Sequence, residues 1–363
     1  MTGERRTLSQ FREESKTNFQ RSVTTLAAIG AAELPFSQAL LNRHGKIDWN
    51  RRRQDANISG IRGSTAASIH YAYIQTGRGK NFIQLFGEER VEVLEEAIDR
   101  VLDDPEMSKI FYENLGRPLT TVSPIRRVPL QYILLSEFGN VAIRGIDLGA
   151  GAHIGLPFLD SDKYLDLDPN TEYKKKREEL TNVLGNPSVL NITLGLGVDI
   201  QDGRNDPDWL RAGTWPIAAY KPIIENLDNL LSDATHTSER FPSLSADIRD
   251  AHVMDKIYDI TGKNGQTPYV DFVVSSFVRH QLGQDATTQQ KFIDLVNRLL
   301  REDGIWIDIG EEFFSGEDVM RNKVRVYQKH DGELKLVGTP FELKDQKYID
   351  YVDLEYFGKS LGN

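Results

Sequence analysis

The segment Gly145-Ile-Asp-Leu-Gly-Ala-Gly-Ala-His-Ile-Gly155 sets an acidic residue, Asp147, just before closely spaced glycines. Glycines at a strand-to-helix turn let a ligand approach the backbone, and a strand-end carboxylate can bind a ligand amine or position the glycine amides. The same residues also suit a plain tight turn. Other carboxylates stand in comparable places: Asp166 and Asp168 in Tyr164-Leu-Asp-Leu-Asp-Pro169, Asp199 in Gly197-Val-Asp-Ile200, and Asp247 in Ser245-Ala-Asp-Ile-Arg-Asp-Ala251. Each also fits a helix cap or turn. His153 and His280 are candidate bases in loops that should face the site, and Arg279 is a candidate to hold a carboxylate. Arg126 and Arg127 lie shortly before the first strand and are brought near the sheet, and Arg127 is a second candidate to hold a substrate carboxylate.

Asp147, Gly149 and Gly151 resemble motif I of the class I S-adenosylmethionine-dependent methyltransferases, an acidic residue followed by Gly-x-Gly-x-Gly. His153 stands where the third glycine falls, with Gly155 two places later. That departure weakens a nicotinamide or flavin dinucleotide site, whose helix must pack closely on pyrophosphate. S-adenosylmethionine has no phosphate and does not need the helix terminus as an anion hole.

The resemblance implies a second strand ending in an acidic residue that takes both ribose hydroxyls. Asp166 and Asp168 lie 19 and 21 positions after Asp147, the commoner spacing; Asp199 lies further on but ends a better strand. Ser245–Ala251 resembles the segment whose Asp, here Asp247, meets the adenine amino group. With Asp199 the order of strands and helices is complete, whereas Asp168 leaves one unit over, so Asp199 is favoured. Val270–Leu282 looks like motif IV with its downstream His, which makes His280 the preferred base. The implied cofactor site comprises Asp147, Gly149, Ala150 and Gly151, then Asp199 and Ile200, then Asp247, Ile248 and Ser275. A narrower likeness, over Gly197–Pro216, is to a bacterial methyltransferase-like family of unknown function with a helical amino-terminal region.

The implied activity is methyl transfer from S-adenosylmethionine to a small molecule, an expectation for bacterial small-molecule biosynthesis. Two alternatives stay open. One is consumption of S-adenosylmethionine without methyl transfer, by intramolecular cyclisation to azetidine-2-carboxylate with release of methylthioadenosine. The other is a non-catalytic nucleoside-binding module. No Asn/Asp-Pro-Pro-Tyr/Phe tetrapeptide is present, which argues against methylation of DNA base amines.

Positioning these residues requires alternating strands and helices. Short apolar runs at Val141–Leu148, Val189–Ile200, Tyr269–Val274 and Gly304–Ile309 predict strands. Phe292, Leu295, Val296, Leu299 and Leu300 form a helical stripe, and a helix is expected over 222–232. This alternation predicts an α/β, doubly wound, mostly parallel Rossmann-like sheet. Val324–Tyr327 and Leu334–Val337 flank His330-Asp-Gly332, predicting an antiparallel carboxy-terminal hairpin. Before residue 140 the pattern is helical. Phe19, Val23, Leu26 and Ile29 share one face, and so do Val91, Leu94, Ile98, Val101 and Leu102, ended by Pro105. Asn42–Thr65 reads as a polar loop. The expected division is a helical region over 1–140, serving as a lid or substrate region, and a cofactor-binding domain over 141–363.

The chain has 363 residues, net charge −10 and no cysteine. That excludes disulfides, thiolate metal sites, cysteine-bound clusters and cysteine nucleophiles. The acidic balance argues against a nucleic-acid partner. No stretch reaches the roughly 18 apolar residues of a membrane span, and the polar start MTGERRTLSQFREESK lacks the apolar core of a signal peptide. The expectations are a cytoplasmic location, a small-molecule partner, no metal and no membrane; oligomeric state is not legible.

Overall fold

Short apolar runs in the second half of the chain become a sheet because each strand can bury both faces under helices. The computed structural model describes residues 7–28, 34–54, 56, 61–85, 88–117, 119, 127–151, 153, 155–159, 171–186, 190–200, 206–213, 226–236, 239–262, 267–276, 278–282, 286–312, 321–344 and 348–360. The strands are β1 (Ala142–Leu148), β2 (Asn191–Asp199), β3 (Ser243–Ser245), β4 (Val270–Ser276), β5 (Leu300–Glu312), β6 (Arg321–His330), β7 (Glu333–Lys344) and β8 (Tyr348–Val352).

They form one sheet in the order β3-β2-β1-β4-β5-β6-β7-β8. The first five are parallel and the last three antiparallel. This is the expected Rossmann-like, mostly parallel sheet. The expected hairpin is the β6–β7 pair, turned by Asp331 and Gly332 at φ 53° and 77°, the positive pair that a two-residue turn demands. β8 extends it to a meander. The strand order reverses between β1 and β4, so the crevice for a ligand opens where Leu148 is flanked by Val198 and Ser275.

Both faces of the sheet are covered. Ile143, Phe272 and Ile307 face a core that includes Tyr132, Ile133 and Leu134 of the helix Arg127–Phe138, and Leu180 of the helix Thr171–Leu184. Ile146, Leu148, Val198, Val273 and Trp306 face Val253 and Ile257 of the helix Val253–Thr261. The expected stripe of Phe292, Leu295, Val296 and Leu299 lies on the helix Ala286–Leu299 and closes the same core. Burying each such side chain contributes roughly 1.5–3 kcal/mol.

Packing divides the chain into two units, Met1–Thr121 with Asn205–Leu227, and Val122–Arg204 with Asp228–Asn363. The helix Arg127–Phe138, on the amino-terminal side of the boundary expected at 140, therefore belongs with the sheet. The first unit is helical, with Leu94, Ile98 and Val101 buried along the helix Val91–Asp103. Pro105 does more than end that helix. It opens the next, Pro105–Asn114, whose first amides are capped by Asp104. The stretch expected as a polar loop differs in its described residues: Asn42 and Arg43 end the helix Leu34–Arg43, Ile61 opens the helix Ile61–Gln75, and Ile47 and Trp49 are almost fully buried between them. Among the described residues, no helix is long and apolar enough to cross a membrane.

Candidate active site

β1 delivers Asp147 and Leu148 to the carboxyl edge of the sheet, and the chain then turns sharply at Gly149 and Gly151, with φ 80° and 58°. These values explain both glycines, because side chains rarely adopt them. The amides of Gly149 and Ala150 donate to Val198 O at 2.8 and 3.2 Å, tying the turn to β2. A Cβ at Gly149 would stand 2.5 Å from Val278 Cγ2. The space over Gly149 is therefore filled by the segment following β4. Asp147 is half-buried with its Oδ1 inaccessible to solvent, and its Oδ2 lies 3.6 Å from where a Cβ at Gly155 would stand. Its carboxylate thus sits against the glycine-rich turn.

Asp199 ends β2, and its Oδ2 accepts the Gly151 N–H at 2.8 Å. The two elements picked out for a nucleoside are joined by that bond. Ile200 follows with 55% of its surface exposed, leaving an apolar face at the rim. β3 pairs with β2 at Asp199–Ser245, which carries Asp247 to the same edge. Asp247 holds Arg249 in a fork at 2.9 and 2.6 Å. Those hydrogen bonds keep its carboxyl below the usual carboxylate range, so it is an ionised acceptor at neutral pH. Ile248 is half-buried against the core, and Ala150 is half-buried in the turn.

His153 is not a base facing the site. It is 1% exposed, and its Nε2 lies 3.0 Å from Gly195 O, a partner that can only accept. Its ring fills the slot left by Gly197 of β2, with Nδ1 2.2 Å from where a Cβ there would stand, while Phe241 covers Gly195. Gly195-Leu-Gly197 carried that signal in the sequence: an unusually bare strand next to a bulky turn residue.

Ser275 also differs from a ligand contact. It is fully buried, donating to Asp308 Oδ1 at 2.8 Å and accepting from Trp306 Nε1 at 2.9 Å. What remains at that position is backbone. Arg279 donates to Gln289 Oε1 at 3.0 Å and to Asp308 Oδ2 at 3.3 Å. Asp308 and Arg325 were missed. An ionisable residue inside the run Ile305-Trp-Ile-Asp-Ile309, on a strand buried on both faces, is the signal that could have found Asp308. The side chains of His280 and Arg127, and all of Arg126, Asp166 and Asp168, lie outside the described residues.

Comparison with solved structures finds chains of very low similarity. PKMT2 from Rickettsia typhi in complex with AdoHcy is 16% identical, with TM-score 0.27, covering 54% of this chain. This chain spans only 27% of that protein. The sugar N-methyltransferase KedS8 from Streptoalloteichus sp ATCC 53650 is 11% identical, with TM-score 0.25 and 70% and 82% of the two chains covered. An O-methyltransferase family protein from Burkholderia thailandensis is 13% identical, with TM-score 0.28 and 83% and 76% covered. No family model matches the chain, and no curated protein matches it. At such scores these likenesses carry no argument, and the fold stands on the chain's own strand order.

In this setting the edge offers a carboxylate at the end of β2, an apolar rim at Ile200 and an ionised carboxylate after β3. A ribose diol needs an acceptor pair and an adenine needs an apolar face plus an acceptor for its amino group. The residues present therefore fit a nucleoside.

Proposed function

We propose that the protein transfers the methyl group of S-adenosylmethionine to a small molecule. The observation that carries this reading is the Gly151 N–H to Asp199 bond at 2.8 Å, at the carboxyl edge of the parallel strands β1 and β2 and beside the point where the strand order reverses. It joins a glycine-rich turn to a strand-end carboxylate at the crevice where α/β sheets take their ligands.

In this reading Asp147, Gly149, Ala150 and Gly151 form the turn beneath the ligand. Asp199 takes the ribose hydroxyls, Ile200 packs on the adenine and Asp247 meets its amino group, with Ile248 beside it. Bound S-adenosylmethionine supplies an activated methyl on a sulfonium. The chain's own work is orientation and exclusion of water, with His280 as the proposed proton acceptor where the acceptor atom carries a proton.

The test is incubation with S-adenosylmethionine and candidate acceptors, followed by mass spectrometry of the products. S-adenosylhomocysteine together with a methylated acceptor is the expected result. Methylthioadenosine in its place would assign cyclisation. No binding of S-adenosylmethionine, S-adenosylhomocysteine or methylthioadenosine would overturn the reading.

A further inference from the structure

Behind the glycine-rich turn stands a polar cluster that the nucleoside reading does not use. Ser275 on β4, Asp308 on β5 and Arg325 on β6 are successive register partners, so they share one face of the sheet. Asp308 is 2% exposed, with Ser275 at 2.8 Å, Arg279 at 3.3 Å and Arg325 at 3.9 Å. Taking such charges out of water is expensive, and apolar residues of similar size often serve stability as well or better. The cluster therefore calls for a purpose other than stability.

Arg279 is the member that reaches outward. It belongs to the short turn of helix Val278–Gln281, directly after the Val278 that covers Gly149. Its Nε is held by Gln289 at 3.0 Å and its Nη1 by Asp308 at 3.3 Å. Its carbonyl accepts from Gln289 Nε2 at 2.7 Å, and its guanidinium carbon lies 5.9 Å from the Trp306 ring centroid. Side chain and backbone are thus both clamped, while 33% of the side chain stays exposed. Among the described residues, Nη2 has no hydrogen-bond partner.

We propose that Arg279, aimed by Asp308 and Gln289, is a carboxylate-binding site beside the glycine-rich turn. A planar guanidinium whose rotation is already stopped matches a carboxylate through parallel N–H bonds and loses little freedom on binding it. The nucleoside is assigned to the β1–β2–β3 side, so the β4–β5 side is where its amino-acid end or the acceptor must lie. The bound carboxylate belongs to one of these two, and Asp308 is a positioning residue. The inference rests on the S-adenosylmethionine reading.

The experiment measures binding, not turnover. S-adenosylhomocysteine and 5′-methylthioadenosine, which differ in the amino-acid end, are titrated into the wild type and Arg279→Gln. Carbon-13 acetate is then titrated into both proteins saturated with S-adenosylhomocysteine and followed by NMR. Loss of about 10- to 100-fold in S-adenosylhomocysteine affinity, with methylthioadenosine unchanged, assigns the carboxylate of the cofactor. Unchanged affinity for both nucleosides, with acetate bound by the wild type alone, assigns the carboxylate of the acceptor. Equal weakening of both nucleosides, or no difference in any titration, overturns the proposal. Arg279→Lys keeps the charge beside Asp308 and replaces Arg279→Gln if that variant does not fold; partial loss in the same arm is expected. Asp308→Asn should weaken the same ligand as Arg279→Gln and no other. If the wild type binds neither nucleoside, the cofactor reading fails alone, and acetate titration of the unliganded proteins still decides the site.

Discussion

Gly197 and His153 show how one missing side chain can set a neighbour's role. A methyl at Gly197 would stand 2.2 Å from His153 Nδ1, so Gly197→Ala must push the ring out of its slot. We expect destabilisation of about 1–3 kcal/mol, read as a lower urea midpoint. Adding His153→Ala should recover part of it, and strictly additive effects in the double-mutant cycle would refute the contact. Asp199 carries the companion prediction about binding. Asp199→Ala should reduce S-adenosylhomocysteine affinity about 10- to 100-fold by calorimetry, because a lost hydrogen bond to a charged group is worth about 1.5–3 kcal/mol. Asp168→Ala should leave it near wild type. The reverse pattern would move the ribose site to Asp168.

Short elements in this chain hold their place through side-chain clamps. The helix Pro207–Ala212 has six residues, too few to persist alone. Asp206 caps it through Trp209 N at 3.0 Å and also accepts from Arg117 at 2.7 Å and Tyr71 at 3.3 Å. The Arg117 guanidinium lies 4.5 Å from the Trp209 ring centroid, completing the clamp. Asp206→Ala should cost about 2 kcal/mol, combining a lost cap with a stranded arginine. Asp206→Asn should cost less, because it keeps an acceptor for the Trp209 amide. Thermal melts of the two variants compare them directly; equal melting temperatures would mean that the carboxylate charge and its arginine decide the effect.

Acid sensitivity belongs to the molecule as a whole, and two buried histidines of the helical unit contribute to it. Burial lowers His44 from 6.5 to about 4 and His70 from 6.5 to about 3. Ser15 Oγ already donates to Arg12 O, so His44 Nε2 must donate to Ser15, which fits a neutral ring. Both rings stay neutral in the folded chain and take a proton near 6.5 in the unfolded one. Stability is therefore complete above that pH, falls on acidification, and is lost for each ring as pH reaches its folded value. For His44 the loss is roughly 3 kcal/mol by pH 4. Denaturant midpoints from pH 7 to 4 should fall steeply for the wild type and less steeply for His44→Gln; parallel slopes would remove His44 as a cause. How much of this molecule can be read without coordinates varies with the distance over which each feature is built. The β1 strand, its glycine turn, the Phe292–Leu299 stripe and the His330-Asp-Gly332 hairpin were legible, since period and turn chemistry are local properties of neighbouring residues. Asp199 was legible as a strand end, and its bond to Gly151 was not. The inward turn of His153, the burial of Ser275 and the Asp308–Arg279–Arg325 cluster arise only when strands separated by tens of residues come into register. Partners set by pairing across a sheet leave no periodic trace along the chain. Local sequence thus determined which elements form and where the turn lies, while tertiary packing decided which side chains face a ligand and which are spent inside.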